Sequence, residues 1–181
     1  MRSRQWAQHG PNWCSARCQP ARFDRNDGGG AMTVPDLIAQ TYHDHAHGAP
    51  VGALHLTYED RFLRRKVLEL EDGRHVLVDL PKTTSLDHGG VLCLEDGGEI
   101  AVVAAPEPLL QVTGPSLHRL AWHIGNRHTP CQIEDTRLLI QQDHVIKDML
   151  GKLGATLTDV VEPFTPEGGA YGHGRTHSHA H

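Results

Sequence analysis

The stretch Leu109–Gly125, LLQVTGPSLHRLAWHIG, decides the fold class of this 181-residue chain. It opens with a short apolar run typical of a β-strand, which Gly114 and Pro115 then break. Ser116 is a candidate N-cap, and from Leu117 apolar residues recur at i, i+3, i+4 and i+7, the spacing of an amphipathic helix. The change of period predicts that α and β elements are mixed in this half of the chain.

The residues after Gly125 continue this succession of strands and helices. Two short apolar runs flank Glu134-Asp135, and Asp143 is a second N-cap candidate. The helix after it should bury one stripe, formed by Val145, Ile146, Met149, Leu150 and Leu153. Gly154 fits the helix end, and a last strand follows. The order β-α-β-β-α-β predicts a ferredoxin-like domain over 106–163, with both helices on one face of a four-stranded sheet.

Residues 33–105 show strand patterns separated by glycine-containing turns. Arg64–Leu70 and Arg74–Leu80 flank Glu71-Asp72-Gly73, which is a hairpin signal, and Asp96-Gly97-Gly98 repeats it. Four or five such strands predict a small all-β domain, a sandwich or a barrel. The fold class is therefore α+β, with a small all-β domain, a ferredoxin-like βαββαβ domain and a His-rich C-terminal tail.

The two ends of the chain differ from the domains between them. Residues 1–32 carry five arginines and two tryptophans without periodicity, which predicts a disordered N-terminal extension. Residues 164–181 turn to proline, glycine and then histidine, and predict a flexible tail. Its imidazoles are candidate nitrogen ligands for a borderline divalent metal. They belong to His173, His177, His179 and His181.

Composition excludes several classes of function. The formal net charge of −5 disfavours nucleic-acid binding, and no apolar run is long enough to span a bilayer. The four cysteines form no paired CxxC framework, and no signal-peptide core is visible, which favours a cytoplasmic protein with reduced thiols. Phosphate-loop, dinucleotide, zinc-protease and nucleophile-elbow motifs are all missing from the sequence. We therefore expect no enzymatic activity.

The folded domain contains two candidate histidine ligands of its own. Gly125 should release the chain from the first helix and leave His128 on an exposed connecting segment. One histidine cannot hold a metal ion well, but a symmetric dimer would present His128 twice across its twofold axis. His144 follows Asp143 at the start of the second helix and is either a ligand or an ordinary polar residue there. Cys131 is a possible soft ligand, although a core position suits it better.

A further histidine tract lies near the start of the β-rich domain. His43, His45 and His47 alternate within a segment that reads as an unstructured lead-in. Such a tract predicts at most weak metal binding.

Three ordered blocks of the sequence resemble one family. His123–His128, HIGNRH, resembles the HLGNRH signature of the UreE family, urease accessory proteins that carry nickel. Asp143–Leu150, DHVIKDML, resembles the family's DHVLDDML, and Pro163–Tyr171, PFTPEGGAY, resembles its PFxPExGAY segment. The resemblance covers about 33–181 and is strongest toward the C-terminus.

The resemblance implies a nickel metallochaperone that delivers Ni²⁺ for assembly of the urease metallocentre. It implies a homodimer bridged at His128, with Zn²⁺ or Cu²⁺ able to occupy the same imidazoles. Its partners would be the urease accessory GTPase UreG and the urease apoprotein complex. Some relatives carry an HxH pair before the second helix, where this chain has Gln142 and His144, so that auxiliary site is half missing.

Two other functions are alternatives to nickel delivery. Passive storage or buffering of nickel or zinc would use the same ligands without a specific partner. A nucleic-acid module on a ferredoxin-like fold would need aromatic residues on its central strands, and the predicted strands 130–133 and 136–140 have none.

Overall fold

A computed structural model describes residues 35–168 of the chain. The extension predicted over 1–32 and the tail histidines lie outside these residues. The first half of the described chain contains six strands. They are β1 Leu37–His43, β2 Gly52–Leu56, β3 Phe62–Glu69, β4 His75–Ser85, β5 Val91–Leu94 and β6 Glu99–Ala104. Among the described residues, no helix has the length and apolar character needed to cross a membrane.

The six strands form one mixed sheet in the order β2-β6-β5-β1-β4-β3. The two predicted hairpins are present as the antiparallel pairs β3–β4 and β5–β6. All six strands belong to one sheet, in which β1–β4 and β2–β6 are parallel pairs, so of the two predicted alternatives, sandwich or barrel, the two-sheet sandwich is wrong. The amide of Glu71, beyond edge strand β3, donates to the carbonyl of Ala53 in the opposite edge strand β2, at 3.2 Å. The sheet is therefore strongly curled.

Alternation along β4 builds the core of this sheet, as the sequence predicts. Val76, Val78 and Leu80 are at most 2% exposed, whereas the residues between them are partly exposed. Gly73 and Gly97, in the two hairpin turns, each have a φ of +86°. Only glycine adopts this backbone conformation without steric cost, which is why these turns end the strands where they do.

The second half follows the predicted order of elements. Its elements are β7 Pro106–Thr113, α1 Leu117–Gly125, β8 Gln132–Ile133, β9 Leu138–Gln141, α2 His144–Lys152 and β10 Thr156–Pro163. The four strands form an antiparallel sheet in the order β10-β7-β9-β8. Strand β7 begins at Pro106, earlier than predicted. Its two prolines pair only with β10, because β9 joins β7 from Leu109 onward, so the missing amides break no bond to β9.

Both helices pack an apolar stripe on this sheet. In α1 the buried residues are Leu120 and Ile124, and in α2 they are Ile146 and Leu150. Val145 was expected in the α2 stripe and is instead 53% exposed. A helix this short buries only a narrow stripe, and Ile146 with its i+3, i+4 and i+7 neighbours already fills it.

The helix ends show which sequence signals act locally. The carboxylate of Asp143 accepts from the amides of Val145, at 2.7 Å, and Ile146, at 2.9 Å, as an N-cap should. Ser116 occupies the N-cap position of α1, but its side chain makes no capping hydrogen bond. Gly154 follows α2 with a φ of +83°, the left-handed conformation that ends many helices.

A small aromatic cluster joins the two sheets. Phe164, just after β10, is fully buried against Tyr58, Leu109 and Leu139. The rings of Phe164 and Tyr58 meet edge to face, with centroids 5.3 Å apart. The buried guanidinium of Arg61 donates to the carbonyl of Phe164 and lies over the Tyr58 ring. Phe164, predicted as the first residue of the flexible tail, is therefore held in place, and the prediction of flexibility is wrong for this residue.

Candidate metal centre

The turn after α1 sets the position of His128. The amide of Arg127 donates to the carbonyl of Ile124 at 3.0 Å, and that of His128 donates to the carbonyl of Gly125 at 2.9 Å. His128 has a φ of +56° and is the one non-glycine residue with positive φ among residues 35–168. A left-handed conformation costs a side-chain-bearing residue about 1–2 kcal/mol. Such strain is concentrated at functional sites, where the rest of the structure maintains it.

The side chain of His128 is available for binding. It is exposed and makes no hydrogen bond or ion pair with any residue between 35 and 168. Its neighbour Arg127 donates from Nε to the sulfur of Met149 in α2, at 3.2 Å. This contact fixes the turn to the second helix and so positions the backbone of His128. The imidazole itself forms no hydrogen bond or ion pair with the described residues.

His144 lies at the first residue of α2, as predicted, and is exposed. It borders an open groove of about 350 Å³ that is also lined by Gln142, Asp143 and Asp159. Lys147 crosses this groove and pairs with Asp159 at 3.0 Å. The ammonium group neutralises the Asp159 carboxylate, and Gln142 supplies no second imidazole. His144 therefore stands without a partner ligand from the described residues.

Within the described residues, no group of three His, Cys, Asp or Glu side chains is arranged to hold a metal ion. The structure does not bring His128 and His144 into contact with each other, and the four tail histidines lie outside the described range. A metal at His128 would need ligands from a second chain or from the tail. An exposed imidazole with no internal partner suits a labile, shared site better than a closed cage.

Cys131 is a core residue and not a candidate ligand. Its side chain packs against the apolar cluster under α1 and α2. Burial, reinforced by the carboxylate of Glu167, raises the pKa of the Cys131 thiol to about 12. Burial among apolar side chains disfavours the accessible thiolate that metal ligation requires, so this thiol acts as a core group.

The start of the tail is anchored close in sequence to His128. The Gln132 side-chain oxygen accepts from the amide of Thr165 at 2.7 Å and from its hydroxyl at 3.2 Å. The amide of Glu167 donates to the carbonyl of Cys131 at 2.9 Å. The residues after β10 are thus tied to Cys131 and Gln132, which lie three and four positions after His128. Sequence patterns gave no sign of this anchor, because it joins residues more than 30 positions apart.

The tract of His43, His45 and His47 is not in an unstructured segment, which corrects the expectation. His43 is the last residue of β1, and the other two follow in the connection to β2. The Nδ1 atom of His43 lies 3.6 Å from the sulfur of Cys93 on the neighbouring strand β5. Only the strand register reveals this neighbour.

Two family models together match nearly the whole described chain. The model described as the N-terminal domain of the UreE urease accessory protein matches residues 35–105, and that of its C-terminal domain matches residues 107–181. The chain belongs to the UreE family. The family description names an accessory protein and not an enzyme, in agreement with the sequence-based expectation.

Individual relatives carry the same name. The "Urease accessory protein UreE" of Ruegeria sp. (strain TM1040) is 68% identical over 147 residues, which cover 81% of this chain and 84% of the relative. That of Ruegeria pomeroyi is 70% identical over 126 residues, covering 70% and 85% of the two chains. That of Rhizobium rhizogenes is 48% identical over 133 residues, covering 72% and 80%. Membership of this family supports a role in urease maturation.

Proposed function

We propose that this UreE-family chain is a cytoplasmic nickel metallochaperone that delivers Ni²⁺ for assembly of the urease metallocentre. The observation that carries the proposal is His128, an exposed imidazole on a strained and anchored turn, with no hydrogen-bond or ion-pair partner among residues 35–168. Neutral imidazole is a good ligand for Ni²⁺, and also for Zn²⁺ and Cu²⁺. His128 of each subunit binds the ion at the twofold axis of a homodimer.

An exposed tryptophan supports an interface on the same helix. Trp122 is 64% exposed in the last turns of α1, six residues before His128, and its ring contacts that of His123 with centroids 5.0 Å apart. Tryptophan is enriched at the buried centres of protein interfaces. A dimer that buries Trp122 would bring the two α1 helices, and with them the two His128 turns, toward each other.

The anchored tail supplies the remaining ligands in this proposal. Glu167 is held beside Cys131, and six further residues lead to His173. Six extended residues span at most about 20 Å, and Cys131 lies only three positions after His128, so the tether is long enough to reach that turn. His173, His177, His179 and His181 then close over the ion and release it to UreG and the urease apoprotein complex. His144 is an auxiliary ligand.

The finer description of the fold is part of the same proposal. The strand order β10-β7-β9-β8, with helices after the first and third strands, supports a ferredoxin-like metal-binding and dimerisation domain over 106–163. The β-rich half, 33–105, is the partner-binding domain. Residues 1–32 and 164–181 are then the N-terminal extension and the tail.

Calorimetric titration with Ni²⁺ tests the role of His128. The full chain should bind one tight ion per dimer, and His128→Ala should abolish that event. His55→Ala is the matched control, because His55 is an exposed histidine on β2 in the other sheet, and it should leave tight binding unchanged. Tight binding of one ion per dimer by His128→Ala would refute the assignment.

The same titration separates delivery from storage. Storage predicts several weak ions whose number depends on the tail histidines and does not depend on His128. Delivery also predicts that the loaded dimer transfers its ion to UreG in a mixture of the two proteins. Retention of the ion in that mixture would favour storage.

A further inference from the structure

The loop between β1 and β2 gathers three imidazoles beside a thiol. The ring centroids of His43 and His47 are 5.1 Å apart, and those of His45 and His47 are 4.8 Å apart. The Nδ1 atom of His43 lies 3.6 Å from Sγ of Cys93. The three histidines, together with Tyr42 and Asp44, line an open depression of about 390 Å³, and Cys93 lies beside His43 without lining it.

These separations match the edges of a tetrahedral metal site. With a metal–nitrogen distance of about 2.0–2.1 Å, two imidazoles bound to one tetrahedral ion have ring centroids about 5 Å apart. With a metal–sulfur distance of about 2.3 Å, the nitrogen and sulfur ligands are about 3.5 Å apart. The four side chains do not already converge on one ion position, so binding requires the exposed rings to rotate about their side-chain torsions.

Carboxylates already orient two of the rings. Nδ1 of His47 contacts Oε1 of Glu99 at 3.1 Å, and the same carboxylate accepts from the amides of His47 and Gly48 at 3.0 and 3.1 Å. Nδ1 of His45 contacts Asp44 at 2.6 Å. A ring whose Nδ1–H is held by a carboxylate presents its Nε2 lone pair, which is the usual support of a metal-binding histidine.

The sheet explains why His43 and Cys93 meet. Thr41 of β1 pairs with Cys93 of β5 and His43 pairs with Val91, so His43 and Cys93 are diagonal neighbours on one face. Glu99 begins β6, which pairs with β5 on its other side. Three adjacent strands thus fix His43, Cys93 and Glu99, and Glu99 in turn fixes the loop that carries His47.

We propose that His43, His45, His47 and Cys93 form a second metal site, which takes a borderline divalent cation such as Zn²⁺ or Ni²⁺. Binding exchanges the Cys93 thiol proton for the metal, so one proton is released to solvent per ion. The site lies in the β-rich half of the chain and does not depend on the nickel role of His128. The ligand set of this second site differs from that of the site at His128, because it includes the sulfur of Cys93.

Titration with Co²⁺ tests the site, because a cobalt–thiolate bond gives a near-ultraviolet charge-transfer band that imidazole ligands do not give. The full-length chain with Cys14→Ser and Cys18→Ser, under reducing conditions, keeps Cys93 and Cys131 as its two thiols. The band should appear and reach a plateau whose intensity corresponds to one thiolate-bound Co²⁺ per chain. Cys93→Ser in this background should remove the band, and Cys131→Ser, the matched control, should retain it.

A second pair of variants tests the carboxylate support. Glu99→Gln should keep the band but raise the Kd for Co²⁺ about 10- to 100-fold, the usual effect of removing such a partner. Glu95→Gln, an exposed residue of the β5–β6 turn, should leave the Kd unchanged. Circular dichroism of each metal-free variant checks that it is folded. Absence of the band in the double-serine protein, or its persistence after Cys93→Ser, would overturn the proposal.

Discussion

The strained backbone of His128 predicts that its replacement by glycine stabilises the fold while it removes nickel binding. At a φ of +56° a side-chain-bearing residue loses about 1–2 kcal/mol, which glycine does not. Glycine loses about 0.5–1 kcal/mol more conformational entropy on folding, so the net gain is about 0.5–1 kcal/mol. The imidazole makes no contact with a described residue, so its removal should subtract little from this gain.

Urea unfolding of the metal-free protein measures the gain, and Ni²⁺ titration measures the loss. His128→Ala keeps the unfavourable conformation and should not be stabilised, although it loses nickel binding equally. Asn126→Gly is the matched backbone control, because Asn126 has a right-handed helical φ of −65° and glycine there should destabilise the protein by about 0.5–1 kcal/mol. If His128→Gly were no more stable than His128→Ala, the strain argument would be refuted.

Three further predictions concern stability. Phe164→Ala should lower the free energy of unfolding by about 3–5 kcal/mol in urea, because it leaves a cavity between the sheets, whereas a loss near zero would contradict the packing described. Asp143→Ala should cost about 1 kcal/mol in the same assay, since two amides of α2 lose their acceptor; Asp143→Asn, which can still accept, should cost less. Hydrogen bonds from Arg137 lower the pKa values of Glu134 and Glu162, so the stability they add is present at neutral pH and is lost as acidification protonates them. Unfolding curves from pH 7 to about pH 3 should show that Arg137→Met removes about 0.5–1 kcal/mol of this acid-sensitive stability, and an unchanged pH slope would count against the network.

Local signals were the most predictable part of the fold. Asp143 and Gly154 mark the ends of α2 because a capping carboxylate and a left-handed glycine act over a few residues. The hairpin around Gly73 was predictable for the same reason. The parallel pairs β1–β4 and β2–β6 were not, because nothing in a strand's own sequence says which distant strand will lie beside it.

In the candidate sites, too, local features were predictable from the sequence and contacts between distant residues were not. The exposure of His128 follows from the glycine three residues before it, but its left-handed backbone does not, because a positive φ is uncommon for any side-chain-bearing residue, although histidine is enriched there. Cys131 was predictable as a core residue from its place at the start of an apolar strand. The neighbour of His43 was hidden, since Cys93 is 50 residues away and reaches it only through the register of β1 with β5.

The position of β1 in the middle of its sheet has a consequence for the order of folding. This strand lies between β4 and β5, and both partners come much later in the chain. During synthesis β1 therefore waits unpaired until His75–Ser85 has emerged, while β3 and β4 can form their hairpin at once. Closing such long loops slows folding. We expect the hairpins to form early and β1 to be inserted after them, so that His43 meets Cys93 late in the assembly of the sheet.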